Sequence, residues 1–183
     1  MKKVISLLLA LVMCLSLVAC GGSAKETYHL GDTVSTDIFD FTLDEAAFAY
    51  ALNNTKGENY FAPKEYDAEK DSDNPYVAPT GKTMIAITYT VTNTGRTTSQ
   101  LYKGGLFTAK YDGKAYPSVP IGVLTLNASD KSDNVLVEAG ASETNRGYAE
   151  IDVDVANLTD SFTITVQIPN SSGKTEKFTY SIG

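Results

Sequence analysis

Residues 67 to 74 read DAEKDSDN and place Asp67, Glu69, Asp71, Asp73 and Asn74 close together. All are hard oxygen ligands of the kind calcium takes, so Asp67, Glu69, Asp71 and Asp73 are the calcium candidate of this chain. The spacing is not that of an EF-hand. Counted from Asp71, Pro75 and Tyr76 stand at positions five and six, where an oxygen ligand and a glycine are required. A solvated acidic loop accounts for the same residues without a metal, and no cofactor is expected.

Nucleophilic catalysis has little to draw on. A Ser–His–Asp arrangement needs a histidine held between nucleophile and acid. His29, the single histidine, sits beside Tyr28 just ahead of the first strand pattern and reads as an exposed terminal residue. No G-x-S-x-G, glycine-rich phosphate loop or H-E-x-x-H occurs. Carboxylates are plentiful, but a glycosidase-like pair must be held at a defined separation across its substrate. The stretch EIDVD puts Glu150, Asp152 and Asp154 on one strand face, an unfavourable stack unless a neighbouring strand supplies lysines. The chain therefore reads as a non-enzyme, with a carboxylate-based envelope hydrolase as one alternative.

Binding is the remaining class. Tyr60, Phe61, Tyr66 and Tyr76 interrupt an otherwise polar stretch from 53 to 81. Tyrosine offers a large contact area with a polar tip, which suits protein or carbohydrate surfaces. The same rings folded back over one end of a domain would be structural. These four residues are the candidate ligand-binding loop.

The elements that must position such residues have a period of two. In FDFTLDE, Phe39, Phe41 and Leu43 alternate with polar residues. In KTMIAITYTVTN, Ile85, Ile87, Tyr89 and Val91 share one face, and Ala86, Thr88, Thr90 and Thr92 share the other. YAEIDVDVA, SFTITVQI and KFTYSI repeat the pattern. Their richness in Thr, Val, Ile, Tyr and Phe is what half-buried strands favour. Asp112-Gly113 predicts a tight hairpin, because both residues accept positive φ. NTG at 93–95 and PNSSG at 169–173 predict turns. DEAAFAYALNN at 44–54 has helical alanines, but Phe48, Tyr50 and Leu52 alternate, which predicts a strand continued through a bulge near Glu45-Ala46. Segments 53–81 and 117–134 show no clear period and read as long loops. Seven or eight short strands of this kind predict an all-β, antiparallel two-sheet sandwich of the immunoglobulin-like class. There is no Trp, and both cysteines, Cys14 and Cys20, lie ahead of the first strand pattern, so packing alone must hold it.

At the amino terminus, Lys2 and Lys3 precede an apolar run from Val4 to Ala19 broken only by Ser6 and Ser16. That run falls short of the ~20 residues needed to cross a bilayer core. It matches the apolar region of a signal peptide, expected as a helix over 1–19. Leu17-Val18-Ala19-Cys20 resembles the lipobox of bacterial lipoproteins. The resemblance implies a diacylglyceryl group on the Cys20 thiol and cleavage just before it. Two or more acyl chains give stable anchoring. Cys14 would leave with the signal, so no thiol pair remains. Residues 20–27 read as a flexible tether, and 28–183 as one domain carrying a 53–81 insert. The two signal lysines would be lost from the 15 basic residues, leaving 13 against 22 acidic, a net charge of −9. Such a surface excludes nucleic acid, whose binding rests on neutralising phosphates along a whole backbone.

The order GDTV (31–34), an aromatic strand, MIAITYTVTNTG (84–95), LFTAKYDGKAY (106–116), EAGASETNRGYAEIDV (138–153) and a final FTITV…KFTYSI pair is similar to a group of Gram-positive lipoproteins. That family is of unknown function and has a telokin-like, immunoglobulin-like sandwich. The match spans roughly residues 28 to 182, and the long 53–81 insert exceeds the family pattern. The resemblance implies a fold and a place on the extracytoplasmic side of the cell membrane, but no catalytic residues. The expectation is a lipid-anchored binding or interaction module whose membrane partner is reached through Cys20 and whose ligand is a protein or carbohydrate. A structural or stress-related envelope module without a dedicated ligand is the main alternative.

Overall fold

The computed structural model describes residues 26–53, 60–62, 76–102, 105–119, 134–153 and 161–183, with the backbone alone at 52, 53, 60–62, 76, 102 and 134. The signal segment, Cys20 and the tether through residue 25 lie outside the described residues.

The described elements are strands, as the period-two pattern requires. They run β1 (Thr27–Tyr28), β2 (Thr33–Ser35), β3 (Phe39–Ala49), β4 (Ala51–Asn53), β5 (Tyr60–Ala62), β6 (Tyr76–Val77) and β7 (Thr83–Asn93) in the first half. β8 (Ser99–Tyr102), β9 (Phe107–Tyr111), β10 (Lys114–Pro117), β11 (Asn134–Val137), β12 (Ser142–Ile151), β13 (Phe162–Pro169) and β14 (Thr175–Ile182) follow. Two sheets form the sandwich. One has the order β1-β14-β13-β9-β10 and the other β12-β7-β3-β2. The pairs are antiparallel except β1 with β14, which is parallel. A ribbon β11-β8 and a small sheet β5-β4-β6 complete the described parts.

The inward residues of β3, β7 and β13 are those that share a face by alternation, and Phe107 and Ala109 of β9 join them. Phe39, Phe41, Leu43, Ile85, Ile87, Tyr89 and Val91 from the four-stranded sheet meet Phe107, Ala109, Ile164, Val166, Ile168 and Tyr180 from the five-stranded one. Phe41 stacks on Tyr89 with centroids 5.2 Å apart, an arrangement that adds to the burial of two large rings. DEAAFAYALNN is strand, not helix. β3 runs through it with its register against β7 shifting between Leu43 and Glu45, so the expected bulge falls at Asp44. The hairpin β9–β10 turns on Asp112 and Gly113, both at positive φ.

The structure differs from expectation in two segments. The stretch 53–81 contains β5 and β6, which flank β4, and 117–134 ends in the first residue of β11, paired with β8. Strands of two to four residues present too few alternations to be read as a period. The polar-looking face of β7 is also half-buried by neighbours: Met84 and Ala86 pack with Ala49, Ala78 and Tyr148 in a satellite cluster on the outside of the sheet.

Asn93 ends β7 and holds that end of the sandwich together. Its Nδ2 donates to the carbonyls of Val137 at 2.7 Å and Thr97 at 2.8 Å, and its Oδ1 accepts from the Gly95 amide at 2.9 Å. Its own amide donates to the Ala141 carbonyl, and its carbonyl accepts from Gly140. A second tie joins the sheets nearby. Thr36 Oγ1 donates to the Pro169 carbonyl at 3.0 Å, and Asp37 accepts from both the amide and the hydroxyl of Ser171. The Ser171 hydroxyl holds the Asp37 carboxyl below its ordinary range.

Because Asn93 is fully buried, Asn93→Ala strands two carbonyls and an amide and should cost about 3 kcal/mol in urea denaturation. Asn93→Asp faces two carbonyl oxygens with an acceptor and should cost more than the alanine. Gly147 in β12 has no room for a side chain, since an added Cβ would lie 3.0 Å from Phe107 Cε1. Gly147→Ala should therefore destabilise by about 1–3 kcal/mol, and a denaturation midpoint equal to wild type would show that the Phe107 ring simply moves aside.

Candidate functional site

Each sandwich sheet turns one face outward, and the two outward faces differ chemically. On the four-stranded sheet, the registers align Thr33, Thr42, Thr90 and Thr144 in one row across the strands. Ser35, Asp40, Thr92 and Ser142 form the next row. These groups mostly satisfy each other. Thr33 and Thr42 share a hydrogen bond of 2.8 Å, Thr90 and Thr144 one of 3.0 Å, and Thr92 and Ser142 one of 2.7 Å. Thr90 donates to Asp44 and Ser35 to Asp40. With Asp40, Asp44 and Glu45 at hand, this face is hydroxyl-rich and acidic.

The five-stranded sheet presents the opposite charge. Its outward row of Thr179, Thr165, Thr108 and Pro117 is fixed by the β14–β13–β9–β10 registers. Ser181, Thr163, Lys110 and Ala115 lie in register on one side of that row, and Lys177 pairs with Gln167 on the other. This face bears a shallow groove of about 530 Å³ lined by Thr108, Lys110, Thr163, Gln167, Lys177 and Thr179 among others. A second hollow of about 320 Å³ continues from it, sharing Lys110 and Thr163 and reaching Ser161 and Ser181.

Neither Lys110 nor Lys177 has an ion-pair partner among the described residues. The outward positions of β9, β10, β13 and β14 carry no carboxylate and no aromatic ring. Thr165 bonds Thr179 at 3.0 Å, and Gln167 Nε2 donates to the Gly105 carbonyl at 3.1 Å. The hydroxyls of Thr108, Thr163 and Ser181 make no hydrogen bond among the described residues. The groove therefore offers two ammonium groups and several hydroxyls in a chain whose formal charge is −7 overall.

The residues singled out in the sequence are distributed otherwise. Cys20, Tyr66, Asp67, Glu69, Asp71, Asp73 and Asp154 lie outside the described residues. Tyr60, Phe61 and Tyr76 lie on the small sheet, where Phe61 and Tyr76 are the two partners of Leu52 and so share one row. His29 is exposed, and its amide donates to the Asp32 carboxylate at 2.8 Å. Glu150 and Asp152 receive the lysines that their stacking calls for. Lys82 Nζ lies 3.5 Å from Glu150 and 3.6 Å from Asp152, and Lys114 Nζ lies 2.7 Å from Asp152. Lys114 also covers the Tyr116 ring, 4.9 Å from its centroid. These contacts form a charge cluster of two lysines and two carboxylates. Arg146, buried on the outward side of β12 in register with Thr88, is a further feature with no sequence signal. Burial lowers the pKa of its guanidinium.

No protein-family profile and no curated protein sequence matches the chain. Two solved structures share its fold. An uncharacterized β-sandwich protein of Clostridium difficile 630 superposes with a TM-score of 0.53 at 17% identity, over 87% of this chain and 97% of the other. The yjhA protein of Bacillus subtilis superposes with a TM-score of 0.50 at 12% identity, over 86% of this chain and 100% of the other. Both come from Gram-positive bacteria, and the likeness shows a β-sandwich.

The charge cluster makes a pH prediction. The hydrogen bond from Lys114 lowers the Asp152 carboxyl below its ordinary 3.8, and the same bond raises Lys114 above 10.5. A lowered acid contributes stability that is present above pH 3.8 and lost as the pH falls through the lowered value. The raised lysine contributes stability that is present below 10.5 and lost as the pH rises through the raised value. Carboxyl titration by NMR should place Asp152 below 3.8, and Lys114→Gln should return it toward that value. An unchanged titration in the variant would mean that the contact does not persist in solution.

Proposed function

We propose that this chain is a lipid-anchored binding module on the extracytoplasmic side of the cell membrane, with the groove of the five-stranded sheet as its ligand surface. The observation that carries the reading is the pair Lys110 and Lys177, cations without an ion-pair partner among the described residues, on a threonine-rich face of an acidic protein. Ionic groups kept unpaired at a concave surface suit a partner that supplies the opposite charge. The anchor rests on Leu17-Val18-Ala19-Cys20 and the charged, apolar segment before it. Binding without catalysis agrees with His29 standing alone at the surface and with Glu150 and Asp152 being tied to lysines.

β1 pairs with β14, so Thr27 lies at the edge of the sheet that bears the groove, and a tether from Cys20 would enter there. From Cys20 to Thr27 is seven residues, which reach at most about 25 Å when fully extended. The groove is then held close to the membrane surface.

Two measurements test the reading separately. Cys20→Ala should leave the protein unacylated by mass spectrometry and move it from the membrane to the soluble fraction; an unmodified amino terminus on the wild-type protein would remove the anchor. For the groove, the double variant Lys110→Glu/Lys177→Glu should lower retention on isolated Gram-positive envelope fragments at least fivefold. Lys82→Gln, on the charge cluster, should leave retention unchanged. Equal losses in both variants would point to general charge effects and away from the groove.

A further inference from the structure

We infer that the groove takes an open-chain polyol linked by phosphodiesters, an identification that rests on the groove being the ligand surface. Four features of the face select this chemistry. Its cations are lysines without arginine. A compact ammonium with three rotatable donors binds phosphate as a point charge, without the planar fork by which a guanidinium grips carboxylates and phosphates alike. Its outward positions carry no aromatic ring on which a sugar ring could stack. Its neutral lining is Thr108, Thr163, Thr179, Ser181 and Gln167, donors and acceptors that suit freely rotating hydroxyls.

The fourth feature is spacing. Lys110 pairs with Thr163 and Lys177 with Gln167, four residues apart on β13 and on opposite sides of it. That sets the two Cα atoms about 13 Å apart along the strands and about 10 Å across them. The resulting diagonal of about 16 Å exceeds one glycerol phosphate unit, so the ammonium groups address anionic groups roughly two or three repeats apart on one chain. The larger groove and the smaller hollow share Lys110 and Thr163, so a chain lying over one can extend over the other. The hydroxyl-rich face of the other sheet does not compete, because Asp40, Asp44 and Glu45 repel phosphate and its hydroxyls are largely paired.

The full-length chain, purified in detergent, is titrated with fluorescent poly(glycerol phosphate) at 50 and 300 mM salt. Dextran serves as a neutral polyhydroxyl probe and polygalacturonate as a carboxylate polyanion. Poly(glycerol phosphate) should bind at least tenfold more tightly than either and weaken as salt rises. Lys110→Gln/Lys177→Gln should reduce its affinity at least tenfold with the thermal midpoint unchanged, since both side chains are exposed. Equal binding of polygalacturonate would overturn the phosphate assignment, and binding of dextran alone would replace it with a neutral glycan. Undiminished affinity in the double glutamine variant would remove the lysines from the site. If poly(glycerol phosphate) fails to bind while the double glutamate variant still loses envelope retention, the ligand class is wrong and the groove stands. If retention is also unchanged, both readings fall.

Discussion

The buried amide of Asn93 is the constraint on which one end of this sandwich depends. The carbonyl of Val137 points toward β7 from a separate ribbon, and the turn at 94–98 must fold back within reach. A single side chain satisfies both and also receives the Gly95 amide. Only a carboxamide has two donors and an acceptor at that scale. Its geometry also explains the glycine two residues on: a Cβ at Gly95 would meet Asn93 Oδ1 at 3.1 Å and Ile38 at 3.4 Å. The sequence TNTG is therefore a joint among β7, β11 and the start of β12, beyond its role as a turn.

With that joint and the Asp37–Ser171 tie fixing one end, the two sheets are free to differ outside. Threonine is used on both outward faces because a β-branched side chain fits the pleated surface. What separates the faces is the charge placed among the threonines and how far the hydroxyls are already bonded. The acidic face closes on itself through short hydroxyl contacts, and its carboxylates accept from neighbouring hydroxyls. The other face leaves Lys110 and Lys177 exposed to solvent, so the two outward faces of this acidic protein carry charges of opposite sign.

The long strands were legible because alternation persists over many residues. Ile85 to Val91 in β7 and Phe162 to Ile168 in β13 point as their spacing predicts. The Asp112-Gly113 turn was legible from backbone chemistry alone. β8, β11 and the small sheet were not, since four residues or fewer hold too little periodic signal. The predicted bulge lay one residue from the observed one because the pairing partner, β7, decides which residue is left over. The groove was beyond the sequence altogether. Lys110 and Lys177 belong to strands that are not neighbours in the chain, and only the insertion of β13 between β9 and β14 brings them to one surface. The lysines of the charge cluster were anticipated as a need of Glu150 and Asp152, but their positions were not.

That insertion has a consequence for assembly. The β9–β10 hairpin closes locally, but its partner β13 begins at Phe162, late in the chain. β7 likewise waits for β12, so most of both sheets is built from contacts between distant segments. Such topologies fold on the millisecond-to-second scale because loop closure must precede the stabilising contacts. The groove is consequently among the last features to exist. A polypeptide halted before residue 161 carries Lys110 on a hairpin with neither β13 nor β14 beside it, so the groove does not yet exist.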